Sequence, residues 1–338
     1  MTRAIVTHDL VKVYPRRDRP WWRPAGKRPP AAPAVDGLRL TIPAGQVTGL
    51  LGLNGAGKTT TIRMLSTLLR PTTGSATVDG LDLVRDAREI RRRINMIAGG
   101  ERMVYARLTA RENLWYFGQL YDVPRARLRA RIDELLALVG LAHAADQRVE
   151  QFSKGMRQRL SIARGLINEP SYLLLDEPTL GLDAPIARDL RAVVAELARG
   201  GVGVLLTSHY LAEVEQLCAE VHVIAAGRLV ARGTPAELTA LTERQHTVEI
   251  TLAAAEASAD QAVQALAART GAQVTADTDD QLRPRYVLRH RHDLAGDLAT
   301  TVVAAGGAIV RLEVTPPTLE DAILALADGA RQPEAVAV

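Results

Sequence analysis

Cysteine is almost missing. Cys218 is the single one in 338 residues, so no intrachain disulfide can form, and the chain fits a reducing compartment. Aromatic residues make up only 4%, so a core has to come from the aliphatic side of a 47% hydrophobic composition. No run approaches the ~18 consecutive apolar residues that a membrane-spanning helix needs. The opening MTRAIVTHDL has no signal-peptide apolar core. Action at a membrane would therefore pass through a partner. A global excess of one charge is missing too. The formal net charge is +4, and residues 15–33 hold more than all of it. There Arg16, Arg17, Arg19, Arg23, Lys27 and Arg28 face Asp18 alone, which excludes a general basic footprint for nucleic acid.

What is present is punctuated regularly. Residues 4–14 and 35–42 read as strands on either side of segment 15–33, whose six prolines predict an exposed loop. Trp21 and Trp22 sit among its cations. That mix suits an anionic membrane surface or an acidic partner loop as well as it suits a plain solvated loop. Residues 109–169 read as mainly helical, with the capping-box spacing Thr109–Glu112 at one helix start. Tyr172–Leu175 and Val202–Leu206 are short, wholly apolar runs, as expected of strands buried on both faces of a parallel sheet. Residues 221–225 and 228–231 read as a hairpin. Composition shifts near residue 243, and 246–326 reads as strand, helix, strand, strand, helix, strand and a last short helix. That order predicts a small α+β domain of ferredoxin-like pattern.

Two motifs carry chemistry. Gly52-Leu53-Asn54-Gly55-Ala56-Gly57-Lys58-Thr59 matches G-x-x-x-x-G-K-[ST] between a strand and a helix. Glycines there let backbone N–H groups wrap phosphates, the helix points its positive end at them, and Lys58 adds a point charge. The Thr59 hydroxyl suits Mg2+, and Thr60 continues the helix start. Further on, Tyr172-Leu-Leu-Leu-Asp176-Glu177 puts two acids at the end of a buried strand, the edge where open parallel sheets bind ligands. Asp176 suits the magnesium ion, and Glu177 suits the attacking water, because phosphoryl transfer asks mainly for positioning. A lone Asp-Glu pair would read as a solvated helix start; the phosphate loop upstream favours the catalytic reading.

With these residues in hand, the chain resembles the ABC ATPases over about residues 1–240. Phe152-Ser153-Lys154-Gly155-Met156-Arg157-Gln158 resembles the family signature, in the form common among drug, antibiotic and polysaccharide exporters. Leu180-Gly-Leu-Asp183 resembles the D-loop, and Thr207-Ser208-His209 resembles the switch-histidine loop. Tyr14 stands where the family keeps an aromatic residue that stacks on adenine. Val314-Thr-Pro-Pro-Thr-Leu-Glu320-Asp321 is similar to the ending of the exporter branch. One departure stands out. The family's glutamine after the strand at 94–98 is absent; the segment reads Ala98-Gly99-Gly100-Glu101-Arg102, with Gly100 aligned to it.

The resemblance implies an α/β fold: a P-loop NTPase core with a parallel sheet, an antiparallel β subdomain, an inserted helical subdomain over about 95–168, and a small C-terminal α+β domain. It places a nucleotide-binding domain at 1–242; the position of 243–330 after the last core hairpin and its exporter-like ending suggest a regulatory or dimer-stabilising domain there, with a tail at 331–338. ATP and Mg2+ are the implied cofactors, with Glu177, His209 and Lys58 catalytic and Thr59 and Asp176 on the metal. Nucleotide contacts fall on Tyr14, on Gly52, Leu53, Asn54, Gly55, Ala56, Gly57, Lys58, Thr59 and Thr60, and on Ser153, Gly155 and Asp183. One phosphate loop and one signature per chain imply a head-to-tail pair of ATPase subunits. That pair would power a separate integral membrane permease of about six spans, held peripherally on the cytoplasmic side of the cell membrane. Two alternatives stay open: a soluble ABC ATPase acting on ribosomes or DNA, and an ATP-binding regulator of poor turnover. The first usually carries two cassettes or long coiled coils, which this chain lacks; the second is favoured only by the missing glutamine.

Overall fold

The computed structural model describes residues 3–15, 32–98, 104–241 and 246–331, with side chains to residue 327. These residues divide into two compact units, one built on the chain up to Ala236 and one on Glu237–Ala325; residues from Leu326 on group with the first.

The first unit contains two sheets. β1 (Ala4–Lys12), β2 (Val35–Leu38), β3 (Thr41–Pro43), β5 (Thr73–Val78) and β6 (Leu81–Asp82) form the antiparallel one, in which β1 pairs with β2, β3 and β5. The expected strand over 35–42 is thus two strands, broken at Arg39–Leu40; the Thr7 hydroxyl bridges the break, taking the Leu40 N–H at 2.7 Å and donating to the Leu38 carbonyl. β4 (Val47–Leu51), β7 (Ile94–Ala98), β8 (Tyr172–Asp176), β9 (Gly203–Thr207), β10 (Glu220–Ala225) and β11 (Arg228–Gly233) form the other, in the order β11-β10-β4-β9-β8-β7. Its ladder is parallel from β10 to β7, with β11 added as the antiparallel arm of the hairpin. β4 and β9 are buried at every position and β8 at all but Asp176, which explains their unbroken apolar sequence.

Helices complete this unit: α1 (Lys58–Leu65) after β4, α2 (Ala87–Arg93), α3 (Ala110–Leu120), α4 (Arg125–Leu138), α5 (Lys154–Gly165), α6 (Ala184–Arg199) and α7 (Leu211–Leu217); α8 (Pro235–Ala240) begins in it and continues into the second. The Thr109–Glu112 capping box is formed in both directions, with the Glu112 N–H on the Thr109 hydroxyl at 3.1 Å and the Thr109 N–H on the Glu112 carboxylate at 2.8 Å. Residues 94–98 form the strand expected there, at the start of the span of about 95–168 assigned to the helical subdomain. They belong to β7 at the edge of the parallel sheet, and the described helices of this region begin at Ala110. Four apolar residues in Ile94–Ala98 fit that strand, paired with β8 from Tyr172 to Asp176.

The second unit follows β12 (His246–Leu252), α9 (Ala257–Thr270), β13 (Gln273–Thr278), β14 (Pro284–His290), α10 (Ala295–Ala304), β15 (Ile309–Thr315) and α11 (Leu319–Arg331), the last running on past Ala325. Its antiparallel sheet has the order β13-β14-β12-β15, the ferredoxin-like arrangement of a β-α-β-β-α-β chain. Val248, Ile250 and Leu252 of β12 pack with Val263 and Leu266 of α9 and Leu298 and Val302 of α10 to form a core of its own. Among the described residues, no helix is long and apolar enough to cross a membrane.

Candidate nucleotide and hydrolysis site

The phosphate loop turns sharply between β4 and α1. Gly52, Gly55 and Gly57 take φ of 151°, 81° and 107°. At Gly52 a Cβ would lie 2.1 Å from the Ile224 carbonyl oxygen, and at Gly57 2.5 Å from that of Ala34, so both positions require glycine. Gly57 is the N-cap of α1 and offers no side chain to the first-turn amides, which leaves them for an anion. Lys58 is buried and folds back onto the loop, donating to the Gly52 carbonyl at 2.6 Å and the Leu53 carbonyl at 3.3 Å. Burial lowers its pKa, opposed by the nearby charges of Glu177 and Asp176. That opposition places both acids in the electrostatic field of the phosphate-loop lysine. Tyr14 is 42% exposed, with its hydroxyl 3.3 Å from that of Thr60 and its ring 5.7 Å from the Lys12 ammonium. It thus stands beside the start of α1.

The two acids differ in setting. Asp176 ends β8 and accepts a hydrogen bond from the Thr207 hydroxyl at 2.7 Å, a contact made across the β8–β9 ladder where these residues pair. Glu177 begins no helix; it takes the left-handed φ of 54°. Such a backbone costs of order 1–3 kcal/mol in a non-glycine residue and persists only where neighbours enforce it. Here the Glu177 N–H is held by the Thr207 carbonyl at 3.0 Å, with the Thr207 hydroxyl 3.2 Å away. The turn aims the carboxylate at His209, whose Nε2 lies 2.8 Å from Glu177 Oε1. His209 and Glu177 are therefore in contact within one chain.

Ser153 caps α5, its hydroxyl accepting the Met156 N–H at 3.2 Å. A Cβ on Gly155 would sit 2.3 Å from Ile186 Cδ1, so the glycine lets α5 approach the start of α6. Asp183 caps α6 by accepting the Ile186 N–H at 3.1 Å. Gly181 beside it takes φ 71°, the left-handed region that favours glycine, and the Lys154 ammonium lies against it. The signature and the D-loop are thus locked to each other. Gly99 and Gly100, with Glu101 and Arg102, lie outside the described residues, as does most of segment 15–33.

Sequence reasoning passed over Glu213. It is 2% exposed on α7, and its carboxylate accepts from the Ser208 hydroxyl at 2.5 Å and the Thr179 hydroxyl at 2.9 Å. One acid therefore braces the segments that follow Glu177 and precede His209. A glutamate in the first turn of a helix reads as a dipole partner, and only the fold shows that it is buried. Glu213→Ala leaves two hydroxyls without their acceptor and is expected to cost about 1–3 kcal/mol. Thermal unfolding measures this, and Glu213→Gln, which keeps an acceptor oxygen, recovers part of the loss.

Oxygen ligands and a threonine hydroxyl suit a hard cation such as Mg2+. Among the described residues no group of three or more His, Cys, Asp or Glu could hold a metal unaided. Thr59 and Asp176 fit an ion that takes its remaining oxygens from phosphate and water. The phosphate loop, the strand-end acids and the capped signature helix define a P-loop nucleoside triphosphatase. The ABC transporter family model matches residues 35–180. The daunorubicin resistance ATP-binding protein DrrA3 of Streptomyces coeruleorubidus is 42% identical over 299 residues, 88% of this chain and 92% of that protein. The ATP-binding protein NatA of Bacillus subtilis is 46% identical over 200 residues, 59% of this chain and 81% of the relative. Among solved structures, cbiO1 of Clostridium perfringens, part of the cbiONQ transporter complex, superposes with TM-score 0.62 at 25% identity, over 71% of this chain and 92% of that one. The chain belongs to the ABC transporter family as an ATP-binding subunit, and the subunits of this family are ATPases coupled to transport.

Proposed function

We propose that two copies of this chain close head to tail on two ATP molecules and drive a separate integral membrane permease of about six spans that exports a drug-like or antibiotic-like compound. The observation that carries this reading is the reach of the resemblance. DrrA3 matches 92% of its own length, which takes in the second unit as well as the ATPase core. DrrA of Streptomyces peucetius and the bacitracin transport protein BcrA of Bacillus licheniformis are similar over 70% and 68% of this chain.

The residues divide the work. Lys58 exchanges the Gly52 and Leu53 carbonyls for the outer phosphates, whose charge keeps the ammonium protonated against its burial. First-turn amides of α1 take the remaining phosphate oxygens, Tyr14 supports the base, and Thr59 and Asp176 hold Mg2+. When bound, the magnesium ion neutralises charge developing on the phosphates. Glu177 orients the attacking water, and His209 fixes the carboxylate. Ser153, Gly155 and Asp183 of one protomer close over the nucleotide held by its partner. In this reading the chain sits on the cytoplasmic face of the membrane, and the cations of segment 15–33 contribute attraction to anionic headgroups.

Co-expression with the membrane protein of a neighbouring reading frame tests this. The expected result is copurification in detergent and ATP turnover that rises in the complex. Copurification with ribosomes or DNA instead, with turnover indifferent to the membrane protein, would overturn it.

A further inference from the structure

Among the described residues, one edge of the second unit's sheet is unpaired and apolar. β15 is the edge strand beyond β12, and Val310 to Thr315 are all exposed. Three of these residues are apolar: Val310 is 47% exposed, Leu312 37% and Val314 39%. Leu312 and Val314 lie on the core side, since they are registered opposite Ile250 and Val248, both buried under the helices; Val310 sits in the bulge between the Ile309 and Arg311 pairings. The apolar row therefore continues the core face past the sheet's last strand. Arg311 and Glu313 alternate with it on the other face, joined to each other at 2.5 Å. An unpaired strand carrying an apolar row is a template for another strand. On the opposite edge, β13, the core-face row is Val274, Ala276 and Thr278, smaller and with a hydroxyl at its end, and Gln273, Thr275 and Asp277 alternate with it.

The sequence of this edge is its own mirror. Val310-Arg311-Leu312-Glu313-Val314 reads apolar, basic, apolar, acidic, apolar. We infer that β15 pairs antiparallel with β15 of a second copy of this chain about a two-fold axis at Leu312, joining the two C-terminal sheets into one of eight strands. In that register Leu312 meets the partner's Leu312 and Val310 meets the partner's Val314. Arg311 then stands directly opposite the partner's Glu313, twice over. Directly opposed charges of opposite sign stabilise a strand pair and like charges oppose it. Sliding the axis to residue 311 sets Arg against Arg, and sliding it to 313 sets Glu against Glu, so one register is selected. A two-fold interface requires this kind of self-complementarity. Charged residues and a bulge, here at Ile309–Val310, are devices that keep edges apart. The mirrored signs turn the first device into a selector, and the bulge lies outside the central triplet 311–313.

This contact does not use the nucleotide that two protomers would share during turnover, so it is tested without nucleotide and on full-length protein. The wild-type cysteine, Cys218, is buried and does not compete as a thiol. Leu312→Cys should form a disulfide-linked dimer under mild oxidation, because opposed Cβ atoms about 4.5–5.5 Å apart need only a small closure to reach the ~3.5–4.5 Å of a disulfide. Val310→Cys and Val314→Cys should each cross-link poorly by themselves and well when mixed. Thr275→Cys, on the other edge, is the background control. Adding Arg311→Glu to Leu312→Cys should slow cross-linking on the order of ten-fold by setting acid against acid at two places, and adding Glu313→Arg as well should restore it. Cross-linking of Leu312→Cys no faster than that of Thr275→Cys would overturn the pairing. So would Val310→Cys reacting by itself as fast as the mixture, or a charge swap that fails to restore the rate. Failure of ATP-driven pairing leaves these results unchanged, so the two forms of association are separable.

Discussion

Glu177→Gln is expected to lower steady-state ATP turnover by on the order of 100-fold or more while nucleotide binding survives. The substitution is nearly isosteric. The amide oxygen still meets His209 Nε2, now at 2.8 Å from the carboxylate, and the backbone N–H still meets the Thr207 carbonyl. The left-handed turn at residue 177 therefore has the same restraints. What disappears is the negative charge that orients water and receives its proton. Removing a carboxylate beside a triphosphate also relieves repulsion, so ATP binding holds or tightens. Binding without turnover should accumulate the closed pair, visible as an ATP-dependent dimer on size exclusion. Phosphate release by the assembled transporter measures the loss, and near-normal release would remove Glu177 from the water-activating role. His209→Ala should lower turnover in the same direction, because the carboxylate then loses the partner that fixes its position.

Much of this site was legible because its parts are local. The phosphate loop is eight consecutive residues whose glycines have steric reasons at Gly52 and Gly57, and its strand and helix neighbours follow from apolar periodicity. The Ser153 cap and the Thr109–Glu112 box depend on a spacing of three residues and were equally readable. The ferredoxin-like order of the second unit followed from alternating strand and helix patterns, since a β-α-β-β-α-β chain has few ways to bury its one helical layer. Contacts between distant segments were not readable. The Thr207–Asp176 bond spans 31 residues and Glu213–Thr179 spans 34, and both arise from the ordering of β8, β9 and α7, which no single window contains. Glu177 was legible as the acid beside the attacking water, but its backbone conformation was not. Its positive φ is enforced by Thr207 from the neighbouring strand and leaves no local trace.

Chains carrying Lys58→Ala and chains carrying Ser153→Arg should each be nearly inactive, and mixing them should restore part of the turnover. Lys58→Ala removes the ammonium that now bonds the Gly52 and Leu53 carbonyls and would serve the outer phosphates, so nucleotide binding itself falls. Ser153→Arg removes the hydroxyl that caps α5 and puts a bulky cation at the helix start. Loss of a cap costs about 1 kcal/mol, so thermal unfolding has to show that this chain remains folded. Ser153→Asp is the sharper companion: aspartate caps as well as serine, yet it sets a negative charge against any phosphate presented there. It should keep stability and lose turnover. If each nucleotide lies between the phosphate loop of one protomer and the signature of the other, a mixed pair has one site with both defects and one with neither. Equal mixing makes about half the pairs mixed, so about a quarter of all sites regain both intact halves. Turnover approaching that fraction is the expected outcome, with Ser153→Asp in place of Ser153→Arg giving the same rescue. If instead Lys58 and Ser153 act on one nucleotide within a single chain, every site in every mixture keeps a defect. The mixture then shows no gain even when differently tagged chains are seen to pair, and that result would refute the head-to-tail arrangement.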